Sequence, residues 1–261
     1  MKNENTGAPV RQRIVILDAL RGFALLGIIL ANFPEFSLWT FQSENVQQAM
    51  DTAVTDTWVQ WLLSMLIDGK FYLIFSVLFG IGFSIILENA TQRSANGMRI
   101  FYRRMTVLAV IGLLHMMLLW SGDILFLYAF IHSGDYHCDN IVYSVLYVIS
   151  VYPTGLMYIT GLALLYRCFP HGRLWTALAY PGRMALTNYL SQSVCGILLF
   201  YGIGMGMGAD IGLWPTEVLA IIVFLFQICF SALWLKLFQF GPLEWIWRML
   251  TYGKTFPLKK H

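Results

Sequence analysis

Apolar residues fall along this chain in long blocks, unlike the short alternation of a half-buried strand, and polar residues collect in the gaps between them. The blocks lie at 14–33, 71–87, 105–131, 141–166, 184–205 and 218–238. Each is close to the roughly 20 residues that carry a helix across a hydrocarbon core. The pattern predicts an all-α protein: a polytopic transmembrane helical bundle of about six spans, with 1–261 forming a single integral membrane domain. The 105–131 block is broken at Ser121-Gly122-Asp123 and reads either as one long tilted crossing, the preferred reading, or as a span followed by a short helix.

Two further apolar pieces, 58–67 and 242–252, are too short to cross. The first reads as interfacial or re-entrant, the second as a short helix on the inner membrane surface. Pro242 stands where a first helical turn tolerates proline, and Gly253 where a helix stops. Glu244 and Arg248 are four apart on that helix, which suits an i,i+4 ion pair or a substrate contact.

Composition agrees, with 58% apolar and 12% charged residues and a mean hydropathy of +0.64, far from the balance of a soluble domain. Where the charges fall says more than the net +3. Of the seventeen Lys and Arg, all but Arg21 and Lys70 lie at the amino terminus, in the loops 88–104 and 167–183, or in the carboxyl-terminal region. The other loops carry Glu35, Glu44, Asp51, Asp56, Asp135, Asp139, Asp210 and Glu217. Positive charge gathers on the cytoplasmic side, so both termini are predicted to be cytoplasmic, in a multi-pass protein of the bacterial plasma (inner) membrane. No basic stripe interleaved with aromatics points to nucleic acid. Cys138, Cys168, Cys195 and Cys229 stand singly, which predicts neither a disulfide framework nor a metal site.

The candidate chemistry lies in polar residues inside the spans. The first reads LDALRGFALLGIILANF at 17–33 and places Asp18, Arg21 and Asn32 among its leucines. At about 100° per residue Asp18 and Arg21 share a face, and Asn32, about three turns on, returns to within about 20° of Arg21. An intramembrane arginine needs a partner or water, and Asp18 is one turn away. The stripe either locks helices together or lines a polar cavity for a ligand. The third span offers His115, the one side chain type whose ordinary pKa lies near neutrality, and Asp123 as a carboxylate to orient it. A packing histidine is the plainer alternative. The fifth span opens PGRMALTNYLSQS, where Asn188 with Gln192 and Thr187 with Ser191 are i,i+4 neighbours, suited to joining membrane helices or to contacting a ligand.

These residues sit in blocks that resemble the YeiB family of bacterial membrane proteins, whose members carry a domain of unknown function. The blocks are RIVILDALRGFALLGIILANF (13–33), DGKFYLIFSVLFGIGFS (68–84), RRMTVLAVIGLLHMMLLWSGDILFLYAF (103–130), GRMALTNYLSQS (182–193) and FGPLEWIWRMLTYGK (240–254). The first two are also similar to two kinds of membrane acyltransferase, the bacterial type-three family and the heparan-alpha-glucosaminide N-acetyltransferase family, in the L-D-x-x-R-G start of the first span. That resemblance implies an acyl-coenzyme A donor on the cytoplasmic side, a sugar or envelope glycan acceptor, and no resident cofactor. Asn32 stands where the type-three family has histidine, and no histidine occurs between Asp18 and Lys70. His115 therefore takes the general-base role by analogy of chemistry, with Asp123 as its orienter. Asp18, Arg21, Asn32, Asn188 and Gln192 would hold substrate, and Arg103 and Arg104 would meet coenzyme A phosphates. YeiB-like chains usually carry more membrane segments between GDILFLYAF and GRMALTNYL than the roughly fifty residues here.

Three function classes follow. The first is acyl transfer, the second a transporter in which the stripe and the glycine run GIGMGMG line a path, and the third a non-catalytic assembly component.

Overall fold

A computed structural model describes residues 15–93, 97–119 and 141–260. Among these the regular elements are helices: α1 (Val15–Phe36), α2 (Glu44–Gln48), α3 (Ala53–Leu66), α4 (Lys70–Arg93), α5 (Gly97–Leu118), α6 (Ile141–Cys168), α7 (Arg173–Arg183), α8 (Ala185–Phe200), α9 (Leu213–Leu237) and α10 (Pro242–Tyr252). A single isolated bridge pairs Phe238 with Lys259. Val15–Phe36, Ala53–Gly82 and Leu213–Leu237 are long and apolar enough to cross a membrane. The second of these contains a turn between α3 and α4, where Gly69 takes φ 74°.

The helix α9 shows most directly what solvent the fold is built for. Its buried face carries Thr216, Glu217, Ala220, Phe224, Gln227, Ser231 and Leu235, while Ile221, Ile222, Leu225, Phe226, Leu233 and Leu237 are exposed. Both sets recur at helical spacing, so the helix has its polarity inside and its apolar face out. In water that arrangement would leave a large apolar patch uncovered; against lipid it is the favourable one. The chain is that of a helical membrane protein.

At the centre lies α1, which packs against α4, α7, α8 and α9. Phe33, Phe36, Leu25, Ile28 and Ile29 are fully enclosed there. Small residues set its closest approach. A Cβ on Gly22 would lie 1.9 Å from the Leu178 carbonyl oxygen, and one on Gly182 would lie 1.8 Å from that of Asp18. The pairings 22 with 178 and 18 with 182 make α1 and α7 antiparallel, backbone against backbone. The opposite face of α1 runs antiparallel to α4. There Gly27 admits the Phe71 ring, which also packs on Phe23 with centroids 5.0 Å apart.

Several boundaries differ from those expected. The stretch 167–183, read as a basic loop, contains α7, whose buried side is Trp175, Leu178, Ala179, Pro181 and Gly182. The fifth block, expected to run through 205, ends as a helix at Phe200. The glycine run then turns back: Met205, Met207 and Gly208 donate backbone N–H groups to the carbonyls of Leu198, Leu199 and Phe200, which terminates α8. α1 continues through Pro34 to Phe36, and α3 starts earlier than the 58–67 piece. Beyond 119, the remainder of the 105–131 block lies outside the described residues, as does Asp123.

At the opposite end from the basic loops, Asp56 of α3 caps α9. It accepts the Trp214 N–H at 2.7 Å and the Thr52 hydroxyl at 2.7 Å, occupying a donor at the start of α9 that its own turn leaves open. α10 matches its expected range, with Pro242 in its first turn and Gly253 at φ 65° closing it.

Candidate functional site

The helix α8 carries polar residues on two faces. On one, Tyr189 and Ser193, a turn apart, meet His115 of α5. His115 Nε2 lies 2.9 Å from Ser193 Oγ, and the imidazole packs 5.3 Å from the Tyr189 ring. His115 and Ser193 are both buried. A neutral imidazole and a serine hydroxyl at this distance share one proton, and either can be the donor.

On the other face, Asn188 and Gln192 enter a network of uncharged groups. Asn188 Nδ2 donates to the Pro181 carbonyl at 3.1 Å and to Ser231 Oγ at 3.0 Å. Gln192 Nε2 donates to Gln227 Oε1 at 3.1 Å and to the Leu25 carbonyl at 3.3 Å. Gln227 Nε2 returns to Ser191 Oγ at 2.7 Å and to the Asn188 carbonyl at 2.9 Å. α1, α8 and α9 are thus tied by amides and hydroxyls, and Gln192 Oε1 alone of these amide groups lacks a partner among the described residues.

The stripe on α1 faces α4. Tyr72 donates its hydroxyl to Asn32 Oδ1 at 3.0 Å. About three turns towards the amino end, Arg21 Nη1 bonds Asp18 Oδ1 at 3.3 Å, and Arg21 Nη2 lies 3.2 Å from where a Gly82 side chain would begin. Asp18 is buried and Arg21 half-buried, so the pair is part of the interior but reaches its edge.

At the basic end, α5 lies on α10. The Arg104 guanidinium sits 3.9 Å over the Trp247 ring, whose indole N–H donates to the Arg104 carbonyl at 3.3 Å. Burial pulls this guanidinium down to about 10, Tyr252 opposing and the Arg248 and Arg21 charges reinforcing, so it remains charged at neutral pH. Arg103 is exposed, its guanidinium against Gly253. The expected Glu244–Arg248 contact is replaced. Glu244 accepts the Thr187 N–H at 3.0 Å and its hydroxyl at 2.5 Å, while Arg248 lies 4.4 Å over Phe240. Burial raises the Glu244 carboxyl above its ordinary value, and the Thr187 bonds hold it partly down.

The sequence singled out His115, Asn188, Gln192, Asp18, Arg21, Asn32, Arg103 and Arg104. The structure joins Asp18 to Arg21 and places Asn188 and Gln192 in one network, but it keeps His115 on a separate face of α8. It adds Ser193, Tyr189, Gln227, Ser231 and Tyr72, and it turns Thr187, expected beside Ser191, to Glu244. Ser193 was visible only as the last residue of SQS, without a spacing to mark it. Gln227 and Ser231 were more legible, as polar residues four apart in an apolar block.

Residues 89–254, which include His115, Ser193, Arg103, Arg104 and the whole of α10, match the family described as Protein of unknown function (DUF418). The chain belongs to that family. An uncharacterized 39.9 kDa protein in the amylase 3′ region of Bacillus acidopullulyticus is 28% identical over 342 residues, covering 95% of this chain and 96% of that one. The uncharacterized protein YxaH of Bacillus subtilis (strain 168) is 23% identical over 393 residues, 95% of this chain and 96% of its own. The uncharacterized protein YeiB of Escherichia coli (strain K12) is 24% identical over 393 residues, 94% and 98% respectively. The expected YeiB-like family is therefore the one found. These alignments are longer than the 261-residue chain, so the relatives carry residues that have no counterpart here. No solved structure matches. Asp18, Arg21 and Asn32 fall outside the range 89–254, which runs from the end of α4 through α10.

Proposed function

We propose that this protein is a membrane acyltransferase that moves an acyl group from cytoplasmic acyl-coenzyme A to a hydroxyl of a sugar or envelope glycan. It does so as a multi-pass protein of the bacterial plasma membrane, with about six crossings and both termini inside. The observation that carries the reading is the buried His115 Nε2 at 2.9 Å from a hydroxyl oxygen, Ser193 Oγ. With its proton on Nδ1, His115 accepts a hydroxyl at Nε2 at that distance, the geometry that general-base activation of an acceptor hydroxyl requires.

In the reaction the acceptor hydroxyl takes the position beside Nε2, and His115 removes its proton as the oxygen attacks the thioester carbonyl. The carbon–sulfur bond breaks, and the coenzyme A sulfur leaves with the proton that His115 returns. Asp123 orients the imidazole. Asp18, Arg21 and Asn32 face the polar parts of donor and acceptor along α1, and Arg103 and Arg104 meet the donor phosphates. Asn188 and Gln192, whose amides already bond protein groups, hold α8 and with it Ser193 in place.

Membranes containing the protein are expected to transfer labelled acetyl groups from acetyl-coenzyme A to endogenous glycan. His115→Ala should abolish transfer at an unchanged level of folded protein, and Ser193→Ala should retain part of it. Undiminished transfer in His115→Ala would overturn the assignment. The transporter reading loses one of its two supports, because the glycine run closes the end of α8.

A further inference from the structure

Arg104 of α5 lies within electrostatic reach of Arg21 on α1 and Arg248 on α10, Arg103 precedes it on α5, and among the described residues only Arg21 of the four has a salt bridge within its own helix. Arg104 of α5 lies flat on Trp247, and Arg248 of α10 lies on Phe240 and, at 5.8 Å, on Phe256. Arg103, one residue before Arg104, packs its guanidinium along Gly253, where a Cβ would come to 3.1 Å from Nη1. Of the carboxylates near this end, Asp18 bonds Arg21 and Glu244 is turned to Thr187.

Like charges gathered at a membrane edge repel, and the repulsion strengthens where burial lowers the effective dielectric. The inward bias of Lys and Arg asks only for charge on the cytoplasmic loops. It does not account for convergence, nor for Arg21, which stands inside the first helix. Seating a guanidinium on an aromatic face leaves its in-plane N–H edge to hydrogen-bond acceptors, the edge that matches two oxygens of a phosphate; the Tyr252 hydroxyl takes part of it on Arg104. Arg103 and Arg248 are exposed, so the edge can be reached.

We infer that the junction of α1, α5 and α10 is a binding site for a phosphate-bearing ligand, with Arg103, Arg104 and Arg248 as its contacts and Arg21 as its inner wall. The inference shares with the acyl-transfer reading only the placement of donor phosphates at Arg103 and Arg104. It extends that pair to a site built from three helices, and it stands on charge geometry whether or not transfer occurs. The phosphate has two sources, a nucleotide-type soluble ligand or the headgroup of an anionic lipid.

The purified full-length protein in neutral detergent would be titrated by calorimetry with coenzyme A in one arm. In the other, protein in phosphatidylcholine nanodiscs would be compared across rising phosphatidylglycerol content, read by the shift in melting temperature. Saturable binding in either arm is expected, weakened about tenfold by Arg248→Gln and again by Arg103→Gln, the loss of a charge-assisted hydrogen bond in each case. Arg167→Gln, an exposed arginine elsewhere on the basic side, should change affinity less than about threefold. Binding in the first arm assigns a soluble phosphate ligand, and binding in the second a lipid headgroup. Absence of saturable binding in both arms, or an equal loss in Arg167→Gln and Arg248→Gln, would overturn the site. Acetyl transfer measured on the same preparations separates the two ideas: transfer without saturable binding removes this site and leaves the enzyme.

Discussion

The α8–α9 network is made of amides and hydroxyls that are mostly buried, whereas the α1–α5–α10 junction is made of charges that reach the surface. Asn188, Gln192, Gln227, Ser191 and Ser231 bond chiefly one another, over distances of 2.7–3.1 Å. At the junction Arg104, Arg103 and Arg248 rest on rings and a glycine instead of on carboxylates. In hydrocarbon a neutral polar group is satisfied by a neighbouring helix and so joins the two. At the junction the protein meets its cations with Asp18, the Tyr252 hydroxyl and aromatic faces, and Arg103 and Arg248 reach the surface. The first region ties helices together, and the second carries the binding site inferred above.

That contrast can be broken first at the glycines. Gly22→Ala and Gly182→Ala should each cost about 3 kcal/mol or more, because a backbone carbonyl and not a flexible side chain must yield. Gly80→Ala, with nothing within 4 Å, should be neutral or stabilise by up to about 1 kcal/mol. Melting temperatures of the detergent-purified variants compare them, and equal behaviour of Gly22→Ala and Gly80→Ala would remove the close α1–α7 approach from the account.

Next comes the network. Gln227→Leu removes two donated bonds and leaves Gln192 and Ser191 seeking partners, and should destabilise by about 1–2 kcal/mol. Its effect on phosphate-ligand affinity should be small, whereas Arg248→Gln should do the reverse. A variant of either kind that moved both readouts alike would erase the division between the two regions.

The smallest effect expected is electrostatic. Glu244 has its folded pKa raised by burial against the Thr187 bonds, so the folded protein holds that proton at a pH where the unfolded chain has released it. Its contribution is therefore fully present below the ordinary glutamate value and is lost as pH rises through the raised one. Thermal melting as pH rises above the ordinary glutamate value should show a shallow fall from this group, and Glu244→Gln, which keeps a carbonyl for Thr187, should flatten it.

How much of this was readable beforehand depends on how local each cause is. The ends of α10 follow from Pro242 and Gly253, which act through their own backbone, and they were legible. α7 was not. Pro181 and its flanking arginines read as loop, and its buried side exists because Gly22 and Gly182 let two backbones touch. His115 stood out by residue type, but Ser193 became its partner only through the packing of α5 on α8. Glu244 was paired with the nearest arginine by spacing, and the packing of α10 on α8 gave it Thr187 instead. Asn188 and Gln192 were recognised as a polar pair, and their partners on α9 were not.

By itself the sequence determined that the chain is helical, that its helices belong in a membrane, and in which segments its cations gather. Those properties are sums over many residues or follow from single-residue chemistry. Only the tertiary structure decided which polar groups meet. Helical periodicity gives a residue's angle about its own axis, but the rotation and crossing of neighbouring helices come from small residues and shape distributed over the whole bundle.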